Sequence, residues 1–75
     1  MNAQTELKPY DERRTAKNAY KLIVESGRSI ESVALDIQAS DRLIYYWANG
    51  ERSPNIKHLY ALSQLFQVPI ESILG

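Results

Sequence analysis

The stretch from Ser29 to Gly50, SIESVALDIQASDRLIYYWANG, constrains the fold more than any other part of the chain. Ser29 can cap a short helix with Glu31 in its first turn, and Val33, Ala34 and Ile37 give that helix an apolar face. Ala39 is small enough for a tight turn against a core. Ser40 then caps a second short helix, with Asp41 at its positive end, and Gly50 stops it. At about 100° per residue, Ile44 and Trp47 share one side of that helix and Arg42 and Tyr46 the other. The spacing predicts two short helices and a tight turn, the second helix with one packed face and one free face.

The rest of the chain reads as helix too. Asp11 and Glu12 suit a helix start, Ala16, Ala19, Tyr20 and Ile23 recur at helical spacing with Leu22 beside them, and Gly27 is a natural stop. Ser53 and Pro54 offer a cap and a first-turn proline for a fourth helix, with Ile56, Leu59, Leu62, Ser63 and Phe66 as its buried stripe. Val68 and Pro69 lead into a last short helix, IESIL, before Gly75. Alternation of period two never persists, so no strand is expected. Residues 1–10 read as a disordered N-terminal arm, and residues 11–75 as one domain. The expected fold is all-α, a compact bundle of five helices.

At 75 residues there is room for one small domain, which buries only about 60–65% of its unfolded surface. No cysteine is present to staple it with disulfides or zinc, so packed helices must suffice. No signal-like or membrane-length apolar run is seen, and a soluble, cytoplasmic protein without membrane association is expected. Nucleotide-binding glycines, metal-ligand spacing and a catalytic constellation are all missing from the sequence, so neither an enzyme nor a cofactor or metal is expected. Charge is balanced, nine basic against nine acidic residues. Residues 1–21 hold five basic and three acidic groups, and residues 22–75 hold four and six. A slightly acidic module binds nucleic acid weakly without placed contacts.

Two short helices with this division of faces read as a helix-turn-helix, whose free face is usually set into the DNA major groove. Over residues 16–74 the chain resembles the lambda-repressor-like (Cro-like, Xre-type) helix-turn-helix family. The ordered residues that carry the resemblance are Ser29, Val33-Ala34, Ala39-Ser40, Ile44, Trp47, Asn49-Gly50, Arg52-Ser53-Pro54, Ile56, Leu59, Leu62, Phe66, Val68, Ile70 and Ile73-Leu74. Three positions depart from the family pattern. Ile30 stands where the family usually carries a phosphate-holding Gln. Gln38 stands where it prefers Gly, which costs roughly 1 kcal/mol if the residue is left-handed, unless the turn differs. Glu51 stands where Lys is common and would repel phosphate.

On this reading a recognition helix over about residues 40–49 enters the groove. Arg42 can donate two hydrogen bonds to a guanine edge, Tyr45 and Tyr46 can reach phosphates or thymine methyls, and Asp41 can accept from a cytosine amino group or simply favour its helix end. Ser29 and Ser40 are caps that can also hold phosphate. The resemblance implies phosphate contacts for Asn49, Arg52 and Lys57, with solvation as the alternative. Trp47 reads as core, Tyr60 as half-buried core, and His58 as a polar-face residue without a role. The run LIYYWA at 43–48 cannot all face inward, so part of Leu43, Tyr45 and Tyr46 is exposed and sticky. Specificity on so small a domain calls for a homodimer on a two-fold site, half-sites about 34 Å apart. Ile70, Ile73 and Leu74 are the candidate dimer surface, or else a core lid. The expected function is sequence-specific double-stranded DNA binding by a transcriptional regulator, a repressor acting by operator occupancy. The rival is the same fold used as a protein-interaction module, such as an antitoxin or regulatory partner, with weak or no DNA binding.

Overall fold

The computed structural model describes residues 10–75. Four α-helices follow one another: α1 Glu12–Glu25, α2 Ile30–Ile37, α3 Asp41–Asn49 and α4 Ile56–Phe66. A 3₁₀ turn at Ile70–Ser72 follows. Among the described residues there is no strand. Apart from Tyr10, the expected N-terminal arm lies outside the described residues.

Each helix begins on a side chain that satisfies a first-turn N–H. Asp11 accepts from Arg14 N at 3.0 Å, Ser29 from Ser32 N at 3.1 Å, and Ser40 from Leu43 N at 3.1 Å. The fourth cap differs from the expected one. Asn55, not Ser53, accepts from the third residue on, His58 N, at 2.9 Å. Asn is as good a cap as Ser, and starting at Ile56 leaves Pro54 buried in the connector. Ser53 Oγ instead lies 3.4 Å from Tyr10 Oη.

Three helices end on a left-handed residue: Gln38 (φ 59°), Gly50 (φ 71°) and Gln67 (φ 54°). The following amide closes each helix onto a carbonyl five residues back, Ala39 N to Ala34 O at 2.9 Å, Glu51 N to Tyr46 O at 2.9 Å and Val68 N to Ser63 O at 3.1 Å. Glycine suits position 50 on two counts. Its φ is positive, and a Cβ there would lie 2.6 Å from Arg13 Cγ, because Arg13 crosses this end of α3.

The core holds Ala16, Ala19 and Ile23 of α1, Val33, Ala34 and Ile37 of α2, Ile44 and Trp47 of α3, Leu59 and Leu62 of α4, and Ile73. The helical stripes of α1, α2 and α3 fall inward as their spacing predicts. The α4 stripe needs two corrections. Ile56 is 70% exposed and Tyr60 is 60% exposed, so neither joins the core, while Phe66 packs at its edge. Ile56 sits in the first turn, and Tyr60 lies four residues on along the same outward line.

The expected fifth helix is the single 3₁₀ turn. Pro69 has no N–H, and only three residues lie between it and Ile73, too few to propagate a helix. Ile73 is 1% exposed and its carbonyl accepts from Asn18 Nδ2 at 3.0 Å. It is a lid on the core and not part of a free dimer surface. Ile70 is half-buried and Leu74 is exposed. Thr15, fully buried, donates to Asp11 O at 2.9 Å and accepts from Gly75 N at 2.7 Å, tying the final residues to α1.

Candidate nucleic-acid interface

The turn between α2 and α3 sets the interface. Gln38 takes the left-handed conformation (φ 59°, ψ 48°), so the helix reversal has its usual geometry and a side-chain residue bears its strain. The chain then passes through Ala39, packed at the core edge, to Ser40 in extended conformation (φ −106°, ψ 156°). That places the start of α3 at the surface while Ile44 and Trp47 anchor the helix at 0% exposure.

Asp41 and Arg42 are fully on the outside of α3, and Asn49 is exposed at its far end. Tyr45 is 51% exposed on the flank. Tyr46 is half-buried, and the Arg52 guanidinium stacks over its ring, 5.0 Å from the centroid. Such a cation–π contact orients Arg52 without neutralising it. Leu43 packs against the core edge. Ser40, Arg42, Leu43, Tyr46 and Arg52 together line a shallow recess of about 390 Å³.

Two guanidinium groups, those of Arg42 and Arg52, line that recess. The ion pairs among the described residues are Lys21–Glu25 at 4.0 Å and Arg28–Asp36, and neither includes Arg42 or Arg52. Ser40 Oγ accepts its capping bond through a lone pair, which leaves its O–H free to donate outward. Ser29 has the same disposition at the start of α2. Working against an anion, Asp41 and Glu31 already sit at these two positive helix ends. The exposed Glu51 side chain adds a third carboxylate next to Arg52 in sequence.

Two of the family-derived positions stand apart. Lys57 is exposed but borders a separate groove of about 470 Å³ between α2 and α4, with Asp36, Gln38 and Tyr60. Ile30 is half-buried against the core, which gives its apolar side chain a packing role in place of a polar one.

Three residues make contacts that the sequence pattern did not assign them. Arg13 crosses the end of α3 at Gly50, a contact between distant segments that no local signal announces. Arg28 bonds both Ser32 Oγ and Asp36 Oδ2, bracing the outer side of α2. His58, expected on the polar face of α4, turns inward instead. Its ring meets Trp47 edge-on, centroids 5.7 Å apart. Burial pushes its pKa below the ordinary 6.5, the Lys57 charge adds to this, and the Gln38 main chain works in the opposite direction. The sequence did hold a clue, for His58, Leu62 and Leu65 lie at i, i+4 and i+7.

A helix-turn-helix family model matches residues 20–73 of this chain. No curated protein and no solved structure matches it.

Proposed function

Since the chain belongs to the Xre/lambda-repressor-like helix-turn-helix family of DNA-binding regulators, we propose that it reads a specific double-stranded sequence and represses transcription by occupying its operator. The observation that carries this reading is that Arg42 and Arg52, neither in an ion pair among the described residues, share one recess with Ser40 and Tyr46 at α3.

Helix α3 lies in the major groove. Arg42 donates to a guanine edge, and Tyr45 reaches a thymine methyl or a phosphate. Tyr46 contributes mainly by holding Arg52 toward the backbone. Asp41 selects a cytosine amino group at its position or leaves the position unread. Ser29, Ser40 and Asn49 grip flanking phosphates, and Lys57 is the outermost of these contacts. Two copies bind a two-fold site, with Ile70 and Leu74 as the surface between them. Both acidic helix ends keep non-specific affinity low, so discrimination rests on the placed contacts.

Selection of random duplexes by the purified protein near physiological salt tests the reading. Enrichment of an inverted repeat, half-sites about 34 Å apart, supports it together with the dimer. A folded protein that enriches no duplex overturns it.

One observation favours the second reading, a protein-interaction module. Leu35 is 80% exposed on α2, beside Ala34 and Ala39 and between Glu31 and Asp41. An apolar residue framed by carboxylates suits a protein surface better than a phosphate backbone.

A further inference from the structure

Arg13 is an exposed residue in the first turn of α1, yet its side chain makes a contact across the molecule. Its stem lies over Gly50 at the far end of α3. A Cβ added to Gly50 would stand 2.6 Å from Arg13 Cγ and 3.1 Å from Arg13 Nε. Three residues earlier Tyr10 reaches the same part of the chain, its Oη 3.4 Å from Ser53 Oγ. The start of α1 therefore lies along the connector between α3 and α4, the segment that also carries Arg52.

We propose that Arg13 is a phosphate-binding residue, and that the DNA-facing surface runs on from α3 across Gly50 to the start of α1. The proposal deepens the DNA-binding reading above and rests on it. Neither ion pair of the described residues includes Arg13. No basic residue stands in the last turn of α3, so the cation near the negative end of that helix comes from α1. Packing of the stem on a residue without a Cβ holds the side chain there. The guanidinium keeps its fork of N–H donors for a phosphate oxygen. Glu51, exposed on the connector, repels a phosphate, and Arg13 brings the opposing charge. Arg13 also shares a recess with Arg14 and Lys17 and one carboxylate, Asp11, which caps α1 by accepting from Arg14 N.

The dimensions of α3 agree. Arg42 and Gly50 are eight residues apart, which at 1.5 Å per residue is about 12 Å along the helix axis. The major groove of B-DNA is about 12 Å wide. A helix that crosses the groove with Arg42 on base edges therefore ends at a phosphate wall. A contact made there positions the protein and reads no sequence, which separates the role of Arg13 from that of Arg42.

The test uses the full chain with Arg13→Met, Arg13→Lys and Arg13→Ala. Methionine keeps an apolar stem over Gly50 and removes the charge, lysine keeps both, and alanine removes both. The urea midpoint of Arg13→Met should match that of wild type. Binding is then titrated between about 50 and 200 mM salt, on a duplex obtained by selection and on the same duplex with one base pair changed. Arg13→Met should weaken both duplexes by one factor, about threefold or more at the low-salt end. Its slope of log affinity against log salt should flatten by about 0.9, while Arg13→Lys keeps the wild-type slope. An unchanged slope in Arg13→Met, or a loss confined to one duplex, overturns the proposal. So does a loss shown by Arg13→Ala alone, which would make the stem a brace between α1 and α3 and nothing more. If Arg13→Met does not fold, Arg13→Gln carries the same decision. If selection enriches no duplex, the DNA-binding reading and this proposal fall together, whereas an enriched duplex whose binding ignores Arg13 overturns this proposal alone.

Discussion

Gln38 shows how one residue can hold a helix-turn-helix against its own preference. Its left-handed backbone (φ 59°) strains any residue with a Cβ, and the flanking bonds, Ala39 N to Ala34 O above all, keep it there. Gln38→Gly should therefore raise stability by up to about 1 kcal/mol, read as a higher urea midpoint at unchanged slope. Arg42 is the opposite kind of residue, exposed, unpaired and dispensable to the fold. Arg42→Ala should leave the urea midpoint unmoved, yet cost about 1–3 kcal/mol in binding to a selected duplex and erase its preference at one base pair. An unchanged base preference would remove Arg42 from the reading set.

Among the elements, α4 is where sequence pattern and structure part most. The Ser-Pro pair promised a start at Ser53, but the capping bond comes from Asn55 to His58 N. Asn55→Ala should cost about 1 kcal/mol, and Ser53→Ala should stay within about 0.5 kcal/mol, in denaturation by urea. The reverse order would mean that the helix starts earlier. Ile56 and Tyr60 form its exposed line, while Leu59 between them faces the core. By contrast α3 behaves as its wheel predicts, because Ile44 and Trp47 leave only one way to bury so short a helix.

For the molecule as a whole, Ile73 and His58 carry the predictions. Ile73 closes the core below α1, so Ile73→Ala should lower stability by about 2–4 kcal/mol, with Leu74→Ala costing under about 1 kcal/mol. Equal effects would return Ile73 to the surface. Global stability should also depend on pH through His58. Its pKa is lowered by folding from 6.5, so below that pH the unfolded chain takes up a proton that the folded chain resists. The contribution is complete above pH 6.5 and is lost as the pH falls toward the folded value. The urea midpoint of wild type should therefore fall relative to that of His58→Gln between neutral and mildly acid pH. Parallel pH curves would show that the ring is indifferent to folding.

The local signals determined the local structure. Ser29 and Ser40 cap, Gly50 terminates, and the apolar spacing of α1 to α3 chose the inward faces, because each of these effects acts within about one helical turn. The family resemblance rested on that same ordered set, and the match over residues 20–73 bears it out. The candidate DNA-facing residues of α3 were legible for the same reason: on a short helix with two anchors, the outward side follows from the inward one. What the sequence could not reveal came from contacts between segments far apart along the chain. Only packing decided that Arg13 crosses Gly50, that Ile73 is a lid, that Lys57 lies off the recess and that His58 points at Trp47. These outcomes depend on how four short helices share one small core, a choice made by the whole fold and left unmarked in any neighbouring residues.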